Sequence, residues 1–390
     1  MGQRSGYAKA TGSGTLAMAG DNDSKYRPAT RLVTGGRSGD FARDVVNPPV
    51  WRASTHLYDN CAELRARKAA NRDGQFFYGR RGAPTQWALS EALTALEPGA
   101  AGTVLYPSGL AALVGALLTV LRSGDVLLVA DNAYDPTRSA ATGLLAGFGI
   151  EHRFFDPLDL DAYEAAFCNR TRAVMLEVPG SLTMEVCDIP ALARIARAKG
   201  AVSLIDNTWA TSLGFPALEH GCDIAITALT KHFGGHSDVM MGSASAGDRW
   251  YRRLRLGAQQ LGHVVSPDDA ALVLRGLRTM GVRLEKQSAT ALAVAEWLAG
   301  RDEVAHVLAP MLPGAPGHAL WQRDFSGGCG LFSFVLKGGD DAARCRLIAA
   351  LELFGIGYRS AIRCHGPKRD GGLRIAMPSG YRSGLKTRMI

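Results

Sequence analysis

Between Ala100 and Ser245 short apolar runs alternate with stretches of helical period. "GDVLLVADNAY", "TRAVMLEVPG", "AVSLIDNTWA" and "CDIAITALTK" each carry a continuous apolar segment of strand length. Runs of that kind belong to parallel strands covered on both faces. Between them "DIPALARIARAKG" predicts a helix, with Asp188 placed to cap it and Gly200 to stop it. The alternation defines an α/β class. Near Ser266 the pattern changes. "SPDDAALVLRGLRTMGVRLEKQSATALAVAEWLAG" predicts long helical segments, and "GLFSFVLKGG" predicts a strand in a second, smaller domain. Residues 1–30 are rich in Gly, Ser, Thr, Lys and Asp and lack an apolar signal segment. They are expected to be a disordered extension or a mis-called start, with Met18 as the alternative first residue.

With 390 residues and 47% hydrophobic content, the chain can bury a large core and is expected to hold more than one domain. No apolar run is long enough to span a membrane. Seven scattered cysteines without a C-x-x-C pair fit a reduced, cytoplasmic protein better than a disulfide framework. The net charge of +8 changes the picture little. From Gly355 to Ile390 there are eight Lys or Arg against one acidic residue, Asp370, so nearly all of the excess sits in that tail. No aromatic series is interleaved with those charges, which argues against a nucleic-acid partner.

Ligands of open parallel sheets bind at the carboxyl ends of the strands. Those ends here carry Asn132 and Tyr134, Glu177 and Ser181, Asp206 and Asn207, and Thr230 and Lys231. Lys231 closes an apolar run and is followed by a glycine-rich turn, "KHFGGHSD". A buried amine there would be a nucleophile for an aldehyde, although a lone lysine also reads as a strand's exit to solvent. Asp206 would satisfy a protonated pyridine nitrogen, or else start an Asx turn with Asn207 and Thr208. Ser108, Gly109 and Leu110 open a helix whose free N–H groups suit a phosphate. Tyr134 could stack on a flat ring. His232 and His236 have H-x3-H spacing, but Gly234 and Gly235 break the helix that a metal pair would need. Neither G-x-G-x-x-G after an early strand nor G-x-S-x-G is present, so dinucleotide and hydrolase sites are disfavoured.

Taken together, "FFYGRRGAPTQWALSEALTALEPG", "SGLAA", "PGSLTMEVCDIPA", "IDNTWA", "ALTKHFGGHSDVMMG", "RGLRTMGVRL" and "WQRDFSGGCGLFSFVLK" resemble, in order, the segments of the Cys/Met-metabolism family of pyridoxal-phosphate enzymes. The resemblance runs from about Thr34 to about Tyr358. It implies fold type I, with a large, mostly parallel sheet domain covered by helices and a smaller C-terminal α/β domain. The expected divisions are 1–30 as extension, 31–80 as an arm on the neighbouring subunit, 81–265 as the cofactor domain and 266–390 as the C-terminal domain. The implied cofactor is pyridoxal 5'-phosphate. The implied roles are Lys231 as the Schiff-base lysine and proton carrier, Asp206 at the pyridine nitrogen, and Tyr134 on the ring. Gly109, Leu110 and Thr230 would bind the phosphate with Ser108 beside them. Tyr78 and Arg80 would reach the neighbour's phosphate in a homotetramer, and Tyr78 would also touch the substrate.

Within the family the segments "PGSLTMEV" and "FYGRRG" point to carbon–sulfur β-elimination on an amino-acid substrate, with cystathionine giving homocysteine, pyruvate and ammonia. γ-Elimination, γ-replacement and cleavage of other cysteine S-conjugates are the related alternatives. A cofactor-binding protein without turnover is the alternative of another class. The pattern breaks after "LELFGIGY": the ending lacks the family's tryptophan and is strongly basic. Its abrupt change of composition is read as a shifted frame. Arg374 in "GGLRIAM" falls near the place of the arginine that binds the substrate carboxylate.

Overall fold

The computed structural model describes residues 26–37, 45–338, 340–351 and 373–376. Most of the expected N-terminal extension and most of the basic tail lie outside the described residues. The chain starts with helix α1 (Pro28–Thr34), then α2 (Cys61–Ala70), a single 3₁₀ turn over Gly79–Arg81, and α3 (Pro84–Leu96). The main sheet is built from β1 (Gly102–Tyr106), β2 (Val126–Ala130), β3 (Glu151–Phe155), β4 (Thr171–Glu177), β5 (Val202–Asp206), β6 (Ile224–Thr227) and β7 (Gly242–Ala246). Helices α4 (Gly109–Val120), α5 (Asp135–Ala140), α6 (Leu160–Ala165), α7 (Ile189–Ala198) and the short α8 (Thr211–Gly214) connect them. After β7 come α9 (Asp248–Gln260) and the 33-residue α10 (Pro267–Ala299). A second sheet combines β8 (Val304–Leu308), β9 (Ser333–Leu336) and β10 (Leu373–Ala376), with α11 (His318–Asp324) and α12 (Asp341–Ala349) between its strands.

The seven strands lie in the order β1-β7-β6-β5-β4-β2-β3. All neighbours from β6 to β3 pair in parallel, and β7 runs antiparallel to both β1 and β6. The pleat explains why the apolar runs are continuous. Val126, Leu128, Val174, Leu176 and Ile205 point into one core layer, with Leu192 of α7 and Leu277 of α10. Leu127, Val129, Met175, Leu204 and Ile226 point into the other, with Leu113 of α4 and Leu254 of α9. Successive side chains of a strand face opposite ways, so a strand covered on both sides must be apolar at every position.

The four strands expected from the apolar runs are β2, β4, β5 and β6. Asp188 caps α7 by accepting the Ala191 N–H at 3.0 Å, and Gly200 follows its end at φ +73°. The long helical reading after Ser266 is one helix, α10, with Ser266 accepting the Asp268 N–H at its start. Three strands carried no such signal: β1, β3 and β7. The antiparallel β7 matters most for the site. It returns from β6 on the same edge of the sheet, so the whole Ala228–Met241 connection stays at the carboxyl end of β6. The second sheet is antiparallel throughout, in the order β10-β9-β8.

Candidate active site

The ends of β4, β5 and β6 come into line at Glu177, Asp206 and Ile226, which are register partners across the sheet. Asp206 therefore sits at the carboxyl edge, as the strand reading required. Its Oδ1 accepts the Thr208 N–H at 2.9 Å, so the Asx turn is present too, and it aims the carboxylate off the end of the strand. The rest of "DNT" staples this edge to β6. Asn207 is fully buried, its N–H donating to Ile226 O and its Nδ2 to Phe215 O, both at 2.8 Å. Thr208 Oγ1 accepts the Ala228 N–H at 2.9 Å. Asp206 and the segment bearing Lys231 are thus tied through two hydrogen bonds.

Lys231 departs from expectation in one respect. β6 ends at Thr227, so Lys231 lies four residues further on, in a turn rather than at the strand terminus, and it is exposed rather than buried. The reason is local. Gly234 N–H donates to Leu229 O and Gly235 N–H to Lys231 O, both at 2.8 Å, and this tight turn lifts the lysine off the sheet. Its neighbour His232 is buried, 6% exposed. Burial above all, then the positive charges of Arg283 and Lys231, hold its imidazole down to about 4. His236 is exposed, with Nδ1 2.8 Å from Gly234 O.

Across from this turn stands the start of α4. Ser108 caps it, its Oγ accepting the Ala111 N–H at 3.0 Å. The first N–H groups, at Gly109 and Leu110, have no partner within the helix by construction. Two glycines permit the approach. A Cβ on Gly109 would lie 2.7 Å from Ala228 Cβ, and one on Gly242 would overlap the Ser108 carbonyl. Thr230 closes the frame: its Oγ1 donates to Met241 O at 3.2 Å and accepts the Met241 N–H at 3.0 Å. Its hydroxyl is thereby engaged with backbone.

On the other side, Tyr134 follows β2 and precedes α5. Its N–H donates to Glu177 Oε2 at 2.6 Å. Asn132, two residues earlier, is 5% exposed, and neither its Nδ2 nor its Oδ1 has a hydrogen-bond partner among the described residues. The loop after β4 folds over it, with Ser181 N–H on Asn132 O at 2.9 Å. That loop holds Leu182 and Met184 at φ +67° and +56°. Left-handed backbone at non-glycine residues costs about 1–3 kcal/mol each and gathers at functional sites. The segment leading into β9 reaches the same region: Trp209 Nε1 donates to Leu331 O at 2.9 Å, and Ser326 N–H to Gly214 O, also at 2.9 Å.

Tyr78 and Arg80 lie on a different surface, the Gly79–Arg81 turn. Tyr78 bridges to Thr55, and its side chain is 43% exposed. Arg80 Nη1 donates to Gln259 O of α9. Arg374 is on β10, in register with Val335 of β9. Glu177 reads from the sequence as a strand-end residue and Thr208 as part of the Asx turn, and both support the site. Arg283 supports it too but is not singled out by the sequence, because it lies on the distant α10.

The arrangement brings together a lysine, a carboxylate, an aromatic ring, an exposed helix N-terminus and an orphaned buried amide. Buried polar atoms are rarely left unpaired, so the Asn132 amide fits a polar molecule bound at this edge. A phosphate suits the start of α4, a ring nitrogen suits Asp206, and an aldehyde suits Lys231. The residues present fit pyridoxal phosphate. Fold and site therefore define a fold type I pyridoxal-phosphate enzyme.

The comparisons narrow the class. The model of the Cys/Met metabolism PLP-dependent enzyme family matches residues 29–360, and the chain belongs to that family. It is 43% identical to cystathionine β-lyase of Escherichia coli, covering 79% of this chain and 78% of that one. It is 41% identical to cystathionine β-lyase of Salmonella typhimurium, covering 89% and 90%. A crystal structure of cystathionine γ-synthase from Xanthomonas oryzae, in complex with aminoacrylate and cysteine, superposes with a TM-score of 0.82. It is 30% identical and covers 92% of this chain and 95% of that one.

Proposed function

We propose that the protein is a carbon–sulfur β-lyase that cleaves L-cystathionine to homocysteine, pyruvate and ammonia. One observation carries the reading. Lys231, Asp206, Tyr134 and the start of α4 meet at one sheet edge in a chain akin to cystathionine β-lyases over most of its length.

Pyridoxal phosphate, when bound, supplies an electron-withdrawing ring that takes up the charge developing at the substrate Cα. The chain's residues do the rest. The first N–H groups of α4, at Gly109 and Leu110, hold the phosphate, and Ser108 keeps that helix end in shape. The Asp206 carboxylate would hold a proton at the ring nitrogen. The Tyr134 ring, held through the N–H bond of its backbone to Glu177, would stack on the cofactor ring. Lys231 Nζ would hold the cofactor aldehyde and, when free, would take the proton from the substrate Cα. The Cβ–S bond then breaks, and the sulfur leaves as a thiol after taking a proton from Lys231 or the Tyr134 hydroxyl. Water replaces nitrogen in the three-carbon remainder, which leaves as pyruvate and ammonia.

The remaining parts belong to the same proposal. Residues 81–265 form the cofactor domain and 266–390 the C-terminal domain; the seven-stranded sheet ends at Ala246 and the second sheet starts at Val304. Tyr78 and Arg80 complete a neighbouring subunit's site in a homotetramer, which the exposure of both side chains supports. Tyr78 also meets the substrate, and Arg374 on β10 takes its carboxylate. A cytoplasmic location is supported by the six described cysteines, all free thiols. No helix among the described residues is long and apolar enough to cross a membrane. The reading is tested by incubating the cofactor-loaded protein with L-cystathionine. Pyruvate with homocysteine supports it; 2-oxobutyrate with cysteine would assign γ-elimination instead.

A further inference from the structure

The turn that carries Lys231 is braced from behind by α10. Gly276 of that helix packs so closely that a Cβ there would overlap the carbonyls of Phe233 and Gly234. Two turns on, the Arg283 guanidinium lies against Gly235. Gly235 adopts φ +76°, and a Cβ at that position would overlap the guanidinium. Gly235 is also the residue whose N–H closes the turn on Lys231 O. The guanidinium is itself held in one orientation by its own helix. Nε–H donates to Thr279 Oγ1 at 3.1 Å and Nη2–H to Gly276 O at 2.8 Å. Arg283 is half-buried, yet no carboxylate is its partner in an ion pair among the described residues. A desolvated cation without a counter-charge is costly, and its being kept against the Lys231 turn asks for a reason.

We propose that Arg283 is a positioning residue for Lys231, its oriented guanidinium fixing Gly235 and hence the turn from which the lysine projects. A fixed turn keeps the amine within reach of both the cofactor aldehyde and the substrate Cα through the cycle. The inference rests on Lys231 being the cofactor lysine. Arginine suits this task because its planar fork makes two bonds while presenting a flat face to backbone, which lysine cannot do.

The test uses the cofactor-loaded wild type, Arg283→Met and Arg283→Lys. The readouts are kcat, KM, thermal unfolding and the visible circular dichroism of bound cofactor, which reports how firmly it is held. Arg283→Met is expected to lower kcat about tenfold or more and leave KM within about twofold, because the loss lies in orientation rather than in substrate binding. Its visible dichroism per bound cofactor is expected to fall by about half or more, since a loosened lysine loosens the ring it holds. Arg283→Lys should recover only part of both losses. If Arg283→Met does not fold, Thr279→Val replaces it, removing the Nε acceptor while keeping the charge. It is expected to move kcat and dichroism in the same direction by about threefold. Unchanged kcat and dichroism in a folded variant, with only the unfolding temperature lowered, would overturn the proposal. A wild type that binds no cofactor would remove the reading of Lys231 and this inference with it. A wild type that binds cofactor but releases no pyruvate would overturn the β-lyase reading alone, and dichroism would still decide on Arg283.

Discussion

The backbone N–H of Tyr134 donates to the Glu177 carboxylate at 2.6 Å. Glu177 is in turn the register partner of Asp206 on the next strand. One carboxylate thus ties the aromatic ring of the site to the strand that presents the acid. Hydrogen bonds to charged groups contribute about 1.5–3 kcal/mol, twice a neutral one. Glu177→Ala is expected to leave the fold intact and lower kcat about tenfold by loosening Tyr134. Glu177→Gln, which keeps an acceptor, should lose less. Steady-state kinetics of the two variants, read beside their far-ultraviolet dichroism, checks this.

Asp206 holds two jobs that can be separated. Its Oδ1 accepts the Thr208 N–H, and an asparagine side chain can do the same. Asp206→Asn should therefore unfold at nearly the wild-type temperature. It removes the negative charge that would hold a proton on the ring nitrogen, and the expected loss in kcat is about a hundredfold or more. Asp206→Ala should lose both activity and stability. Equal unfolding temperatures for the alanine and asparagine variants would speak against the structural job.

Gly109 and Gly242 allow the start of α4 to approach the Ala228–Met241 connection. Gly109→Ala places a methyl 2.7 Å from Ala228 Cβ. Overpacking of this kind costs about 1–3 kcal/mol. Because the strain falls where a phosphate would be held, cofactor affinity should drop together with the unfolding temperature. Equilibrium binding of pyridoxal phosphate followed by absorbance measures the first, and calorimetry the second.

Stability should depend on pH through two buried groups of opposite sense. Burial at the end of α3 pushes the Glu97 carboxyl up to about 8, although the Leu218 N–H on its Oε1 works the other way. A raised carboxyl contributes its full share below the unfolded value near 4.5, and loses it as pH climbs to about 8. Each unit of that window is worth at most about 1.4 kcal/mol. Glu97→Gln should flatten the fall of unfolding temperature between pH 5 and 8 (roughly the window of the shift). His232 is depressed to about 4, so its share is full above the unfolded value near 6.5 and is lost as pH falls toward 4. Unfolding temperatures across pH for the wild type and Glu97→Gln decide whether Glu97 titrates in the folded protein.

The parts of this architecture that announce themselves are those where both sheet faces are covered. β2, β4, β5 and β6 must be apolar at every position, so their runs stand out. β7, "GSASA", is as buried as they are yet carries only small residues. It gains burial from its place between β1 and β6, which no local pattern encodes. β3, "EHRFF", is an edge strand with charged residues half-buried along it. The site followed the same division. Asp206, Tyr134 and the capped start of α4 were legible because strand ends and helix caps are local signals. Lys231 was legible as a residue of that edge, but not its four-residue offset from the strand, because the tight turn after Thr227 lifts it away. Arg283 was invisible, since only folding brings α10 against Gly235. The match to the family model ends at residue 360, close to where the composition changes.

The most direct test of the account is product analysis with L-cystathionine and protein loaded with pyridoxal phosphate, alongside Lys231→Ala. The expected result is pyruvate and homocysteine in equal amounts from the wild type and neither from the variant. Absence of pyruvate from a cofactor-loaded wild type, or pyruvate formation that survives loss of Lys231, would contradict it.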